Sequence, residues 1–240
     1  MLPSSLITAS HKRRGQNGSR SEIAYRVLKH KIVISELAPA TILSEAELIA
    51  ELGIGRTPLR EALQRLAYDD LVVILPRRGT MVTDLNPSDL LKIFEIRVEL
   101  EPFAVRLASE RASESQIVEM ENLLEACDEF VDPYDYHQLI LLDQQIHWLL
   151  GQASNNSFLA DTLERYYTHV MRLWYASLHE GSRLREAIQE HADIIASIKV
   201  GDGLRAAAIM RAHITKFQSD FADSLVASNT EQTVLSGGDK

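Results

Sequence analysis

The chain has 240 residues, of which 45% are hydrophobic and 25% charged, and a formal net charge of −9; this length suits one large domain or two ordinary ones, and we read two. The overall acidity argues against a nucleic-acid partner, but residues 1–82 hold 12 Lys and Arg against 8 Asp and Glu, while the rest hold 13 against 26, so a basic head sits on an acidic body and only the head suits a polyanion. Cys127, the single cysteine, excludes an intrachain disulfide and a cysteine-based structural zinc site, fits a reducing compartment, and reads as a small buried hydrophobe.

Residues 1–20 are rich in Ser, Gly and basic side chains (Lys12, Arg13, Arg14, Arg20) with no continuous apolar stretch before a cleavage site. They read as a disordered basic arm and not as a secretory signal. From Glu22 to Leu37, Ile23, Val27, Leu28, Ile32 and Ile34 follow the helical period until Pro39 stops it. Ser44 caps a short helix through Leu52, Glu47 completes a capping-box pattern, and Gly53 ends it. Thr57 as N-cap and Pro58 at the first helical position predict a third helix with the stripe Leu59, Ala62, Leu63, Leu66 and Ala67.

After Asp70 the pattern becomes extended: Leu71–Leu75, the turn Pro76-Arg77-Arg78-Gly79, then Thr80–Thr83 predict a small hairpin with a basic tip. No other strand signal appears. Asp84 to Pro87 form the joint, with Asn86 as cap and Pro87 opening the next helix. Turn chemistry at Asp132-Pro133, Ser154-Asn155-Asn156-Ser157, Gly181-Ser182 and Gly201-Asp202-Gly203 predicts helices over 87–112, 115–130, 134–152, 157–179, 182–199 and 203–226. The polar residues from Ala227 read as a disordered tail. The fold class is therefore mainly α: a winged helix-turn-helix over 21–84, then an all-α antiparallel bundle over 85–226. No apolar run approaches the roughly 20 residues of a membrane helix, so the expected location is the cytoplasm, with no membrane partner.

The order helix, glycine turn, helix, basic hairpin is that of a helix-turn-helix with a wing, whose second helix enters the major groove of DNA by its N-terminal residues. Arg56 and Arg60 stand four apart there, on one face. Each guanidinium can grip guanine bidentately or hold a phosphate. Arg77 and Arg78 precede Gly79 at the hairpin tip, suited to phosphate or the minor groove; a charged edge that discourages strand aggregation is the other reading.

The run Gly53-Ile54-Gly55-Arg56-Thr57-Pro58-Leu59-Arg60-Glu61-Ala62-Leu63, preceded by Leu43-Ser44-Glu45 and Leu48-Ile49-Ala50 and followed by Leu66 and Arg78-Gly79, resembles the GntR family of transcription regulators over residues 22–83. The resemblance implies operator contacts by Arg56 and Arg60, with Thr57, Arg77, Arg78 and Gly79 in the same DNA-binding set. Ala46 stands where many members place a further DNA-contacting arginine, and Gly55 replaces the usual Ser or Thr. Both departures bear on which operator is read.

In the bundle, Asp143 and His147 lie one helical turn apart, about 6 Å along the axis, while His191 follows Glu190 and His213 falls in the last helix. Bundles build metal sites from such side chains on facing helices. Three imidazoles and a carboxylate suit Zn²⁺, Ni²⁺, Mn²⁺ or Fe²⁺ over Mg²⁺ or Ca²⁺. Spacing alone favours hydrogen-bonded core or surface histidines over metal ligands.

Arg97 with Glu101, Asp143-x-x-x-His147, Ser154-Asn155-Asn156, Glu190-His191 and His213 are similar to the FCD-type ligand-binding domain, the FadR branch of GntR proteins. That resemblance implies a divalent transition metal on Asp143, His147, His191 and His213. Its remaining coordination sites imply a small organic acid as effector, gripped by Arg97 and Arg172 with Asn156 in the same pocket. Salt bridges to Glu99, Glu101 or Glu164 are the other reading of the two arginines. His169 and His179 read as outer or surface residues, and Trp148, Trp174 and Tyr166 as bundle packing.

A metal-dependent hydrolase is the rival reading, but no His-Glu-x-x-His occurs, and an enzyme leaves the reading head unexplained. A helical interaction protein without ligand is the third. The sequence therefore predicts a homodimeric, operator-binding regulator, a repressor by family weight, and no enzyme.

Overall fold

The computed structural model describes residues 18–129, 136–176 and 181–236 and divides into two compact units, Met1–Leu85 with Thr168–Leu178, and Asn86–Tyr167 with His179–Lys240. Residues 1–17 of the basic arm, the turn at Asp132-Pro133, His179, and the side chains of Cys127 and Trp174 lie outside the described residues.

The first unit opens with α1 (Arg20–Val33), capped by the Ser19 hydroxyl, which accepts from the Glu22 amide. This helix ends four residues before the periodicity does. Ser35 turns into the left-handed region (φ 61°), and the Leu37 amide folds back on the Lys31 carbonyl at 3.0 Å, so Leu37 packs on the core from a loop. Strand β1 (Ile42–Leu43) then precedes α2 (Glu45–Leu52), which has Ser44 as N-cap and Gly53 in the left-handed region at its end.

Helix α3 (Arg56–Tyr68) starts two residues earlier than the Thr57-Pro58 pair suggests, with Gly55 and not Thr57 at the N-cap position. Its first helical bond runs from the Leu59 amide to the Gly55 carbonyl, 3.3 Å. The missing proline N–H is tolerated anywhere in a first turn, because those amides have no intrahelical acceptor; Thr-Pro therefore marks the start only to within a turn.

Strands β2 (Val72–Leu75) and β3 (Gly79–Val82) form the predicted hairpin, with Val72 opposite Val82 and Leu75 opposite Gly79. The sheet has a third, unforeseen member: β1 pairs antiparallel with β3, Ile42 opposite Met81. Two residues are too few to display a period of two. Leu28 and Ile32 of α1, Leu48 of α2, Leu59, Leu63 and Leu66 of α3, and Leu71, Val72 and Val82 make one buried core under helices and wing.

The same unit includes the distal turns of α7 (Ser157–Ala176). There Arg172, 1% exposed, donates to the Thr83 hydroxyl at 3.0 Å and the Thr83 carbonyl at 2.5 Å. Thr83 in turn donates to the Asp70 carbonyl, 2.7 Å, and His169 Nε2 meets the Asp69 carbonyl at 3.0 Å. Burial pulls the Arg172 guanidinium down to about 10, still charged at neutral pH. Replacing Arg172 with alanine removes two charge-assisted hydrogen bonds from a dry site, and urea denaturation is expected to show a loss of about 2 kcal/mol.

The second unit is built of α4 (Pro87–Arg111), α5 (Glu114–Glu129), α6 (Tyr136–Ala153), the proximal part of α7, α8 (Gly181–Lys199) and α9 (Gly203–Ser236). Asn86 caps α4 through the Ser88 amide, with Pro87 in its first turn. Helix α9 runs to Ser236, past the point where the polar composition reads as a tail; no Gly or Pro interrupts it before Gly237, so helix propagates from a packed base without an apolar stripe to announce it.

Helix α8 packs against α4, α5, α6 and α9, and α4 lies along α9, where Phe94 meets Phe217 and Phe221 at 5.3 and 5.9 Å between ring centres. Gly203 allows the close approach at the start of α9: a Cβ there would overlap the Ser109 hydroxyl and stand 3.2 Å from the Arg106 carbonyl. Gly203→Ala is expected to destabilise the chain by about 1–3 kcal/mol through overpacking, measured by urea denaturation.

Candidate DNA-reading head and metal centre

The DNA-reading elements follow from local chemistry. Gly53 reverses the chain after α2 at φ 61°, a conformation that costs a side-chain-bearing residue more, and α3 begins three residues later. Its buried face, Leu59, Ala62, Leu63 and Leu66, fixes the opposite face outward, so Arg56, Thr57 and Arg60 are exposed. Arg60 Nε lies 3.2 Å from both Glu45 oxygens. At the wing tip Arg77 (φ 62°) and Gly79 (φ 96°) take left-handed backbone, and Arg77, Arg78 and Gly79 are all exposed. Among the described residues Arg56, Arg77 and Arg78 form no ion pair. Three uncommitted guanidiniums on one small unit are what a polyanion requires.

In the second unit the structure gathers His147 of α6, His191 of α8 and His213 of α9, whose ligand-capable atoms all lie within 4.8 Å of one another. All three are buried, His191 completely. His147 and His191 approach Nε2 to Nε2 at 3.1 Å. Asp143 stands beside the triad: its Oδ1 is 3.6 Å from His191 Nδ1, and its Oδ2 accepts from the Tyr167 hydroxyl. Burial, then the Asp143 charge, pushes the Tyr167 hydroxyl well above its ordinary value, so it remains a donor.

Two carboxylates hold the outer edges of the rings. Glu101 Oε2 lies 2.7 Å from His147 Nδ1 and its other oxygen pairs with Arg97; Glu190 Oε2 lies 2.7 Å from His213 Nδ1. Burial alone would raise the Glu101 carboxyl, but the Arg97 guanidinium and the His147 ring hold it down at about 2. Burial holds His213 below its ordinary value against the opposing pull of Glu190, which keeps the ring neutral and able to donate its lone pair. Two nitrogens bound to one ion at about 2.1 Å stand at most about 4.2 Å apart, so sub-ångström movements suffice to draw the three rings onto one ion. The donor set fits a borderline divalent transition metal.

Residues 20–82 match the family described as bacterial regulatory proteins, gntR family, and residues 92–216 match the FCD domain. The chain belongs to the GntR family. It is 30% identical over 190 residues to the HTH-type transcriptional repressor RspR of Escherichia coli strain K12, covering 79% of this chain and 83% of RspR. With the HTH-type transcriptional regulator McbR of the same strain it shares 29% identity over 178 residues, 73% of this chain and 80% of McbR. The fold agrees with the solved structure of E. coli McbR/YncC (TM-score 0.76, 24% identity, 87% of this chain and 100% of that one). It also agrees with a GntR protein from Rhodococcus sp. RHA1 (TM-score 0.69, 22% identity, 86% and 99%). As a GntR protein with an FCD domain, the chain is a transcription regulator with a DNA-binding head and not an enzyme.

The residues singled out in the FCD domain meet different fates. Arg97, 3% exposed, is committed to Glu101 and lies over the Tyr167 ring, 5.0 Å to its centre. Arg172 is engaged with Thr83, as described above. Asn156 is a helix cap: its Oδ1 accepts from the Leu159 amide at 3.2 Å, while its own amide donates to the Ser154 hydroxyl. Trp148 is half-buried.

Tyr167, and the role of Glu190 toward His213, were not foreseen. Tyr167 carried a usable signal, since Leu159, Leu163, Tyr167 and Val170 form the buried stripe of α7 and its neighbour Tyr166 falls off it. Glu190 entered the sequence reading only within the Glu190-His191 match, and its pairing with His213 carried no local signal, because the partner lies 23 residues away.

Proposed function

We propose that this GntR protein is a repressor that binds a near-palindromic operator as a homodimer, acts in the cytoplasm, and responds to a divalent transition metal and a small organic acid in its FCD domain. Arg56, Thr57 and Arg60 enter the major groove, and Arg77, Arg78 and Gly79 at the wing tip take phosphate or the minor groove. The observation that carries the DNA reading is the exposure of these residues together on one unit. Two-fold pairing of protomers puts two recognition helices on two half-sites. RspR, by its description a repressor, supports the direction of control.

Asp143, His147, His191 and His213 hold the metal, Zn²⁺, Ni²⁺, Mn²⁺ or Fe²⁺, and the supporting observation is the buried triad. A metal there supplies open coordination sites for a carboxylate. Arg97 reaches the His147 side of the site through Glu101 and supports an acid as effector, while Arg172 and Asn156 have other partners and contribute to the same pocket only if those partners are exchanged. The effector changes operator affinity by no more than its own differential affinity for the DNA-bound and free states.

Selection of the purified full chain against a random duplex library is expected to enrich two inverted half-sites. Anisotropy titration of the selected duplex, with zinc and with chelator, then reads the coupling. No enrichment overturns the operator reading, and equal affinity with and without metal overturns control by the metal.

A further inference from the structure

An imidazole binds a metal only through a nitrogen that carries no hydrogen, and the partner of the other nitrogen decides which one that is. His147 Nδ1 and His213 Nδ1 each lie 2.7 Å from a carboxylate oxygen, of Glu101 and Glu190. Both carboxylates face a cation with their second oxygen, Glu101 the Arg97 guanidinium and Glu190 the Lys216 ammonium at 3.5 Å, so both are charged and act only as acceptors. In the neutral rings of His147 and His213 the one hydrogen therefore sits on Nδ1, and Nε2 is bare. His191 is the exception. Its Nε2 lies 3.1 Å from His147 Nε2, and with a lone pair on His147 this contact is a hydrogen bond only when His191 is the donor.

We propose that Glu101 and Glu190 are positioning residues that set His147 and His213 in the Nδ1–H form before any metal arrives, and that His191 alone changes tautomer on binding. The His191 step removes one proton from Nε2 and adds one at Nδ1, which faces Asp143 Oδ1 at 3.6 Å, so the proton count of the ring is unchanged. The second half of the inference rests on the metal-centre reading; the first does not.

The test uses long-range proton–nitrogen correlation spectra of the full chain with ¹⁵N-labelled histidine, first with chelator and then with one equivalent of zinc. Without metal, His147 and His213 are expected as Nδ1–H and His191 as Nε2–H; with zinc all three are expected as Nδ1–H. Glu190 is only partly buried, so Glu190→Ala is expected to fold, to release His213 into a tautomer mixture, and to lower zinc affinity about 10- to 100-fold in chelator competition. Glu190→Gln, which keeps an acceptor oxygen, loses less. An Nε2–H form of His147 or His213 in the metal-free chain, or wild-type zinc affinity in Glu190→Ala, overturns the proposal. Failure of the wild-type chain to take up zinc is read in the same titration, so failure of the metal-centre reading is distinguished from failure of the tautomer assignment.

Discussion

Replacing His191 with alanine is expected to reduce zinc affinity far beyond the roughly 100-fold that loss of an outer hydrogen-bond partner costs, and to abolish the thermal shift that zinc gives the wild-type chain. His191 is the completely buried member of the triad and contacts both His147 and Asp143, so no surface side chain can take its place. At free zinc 100-fold above Kd, linkage gives the wild-type chain about 2.7 kcal/mol, and the variant gains none of it. Chelator competition and melting with and without zinc check both expectations; comparing shifts within each chain cancels whatever the substitution does to the metal-free fold.

His213 contributes a pH dependence to the metal-free chain. Its folded value lies below the ordinary histidine value of 6.5, so on acidification the unfolded chain takes up a proton that the folded ring refuses. Stability is full above that region and falls as pH drops through it. A ring that stays neutral below 6.5 also keeps zinc binding alive into mildly acidic solution. Retention of the zinc-induced shift at pH 6 is the expected result, and elemental analysis at the same pH checks occupancy.

Much of the reading head is legible in the sequence because its signals are local. Ser44 with Glu47, Gly53, and the Asn86-Pro87 pair each specify a cap or turn by their own chemistry, and each stands where that chemistry puts it. What the sequence hides is relational. Strand β1 exists only because β3 offers it an edge, and the end of α1 is decided by Ser35 turning left-handed against the trend of a still-periodic stretch. In the bundle, the period points inward for Asp143 and His147 on α6 and for His213 on α9, yet spacing along separate helices says nothing about convergence. Packing α8 against α4, α6 and α9 brings its His191 to His147 and His213 and makes the triad. The same holds for polar residues whose type is ambiguous: Arg97 and Arg172 read alike as acid-gripping arginines, and only the fold shows one beside the histidines and the other bonded to the Thr83 backbone.

Arg60→Ala is expected to weaken operator binding by about 1–3 kcal/mol per half-site, roughly 5- to 150-fold, while changing folding stability by less than about 1 kcal/mol. Its only ionic partner among the described residues is Glu45, in an exposed pair with Arg60 at 60% exposure, and such pairs contribute little to the fold. The separation of the two effects is therefore diagnostic: anisotropy titration against the selected duplex reads binding, and urea denaturation reads stability. Arg56 opens α3, where helix amides and dipole favour an anion, so Arg56→Ala is expected to weaken binding across all sequences and to reduce the salt slope by about one. Arg60 lies one turn further along the face that enters the groove, so its loss is expected to relax the preference at one base position and leave the other positions intact. Equal, sequence-independent losses for both variants would assign both arginines to the phosphate backbone and move base readout to other side chains of α3.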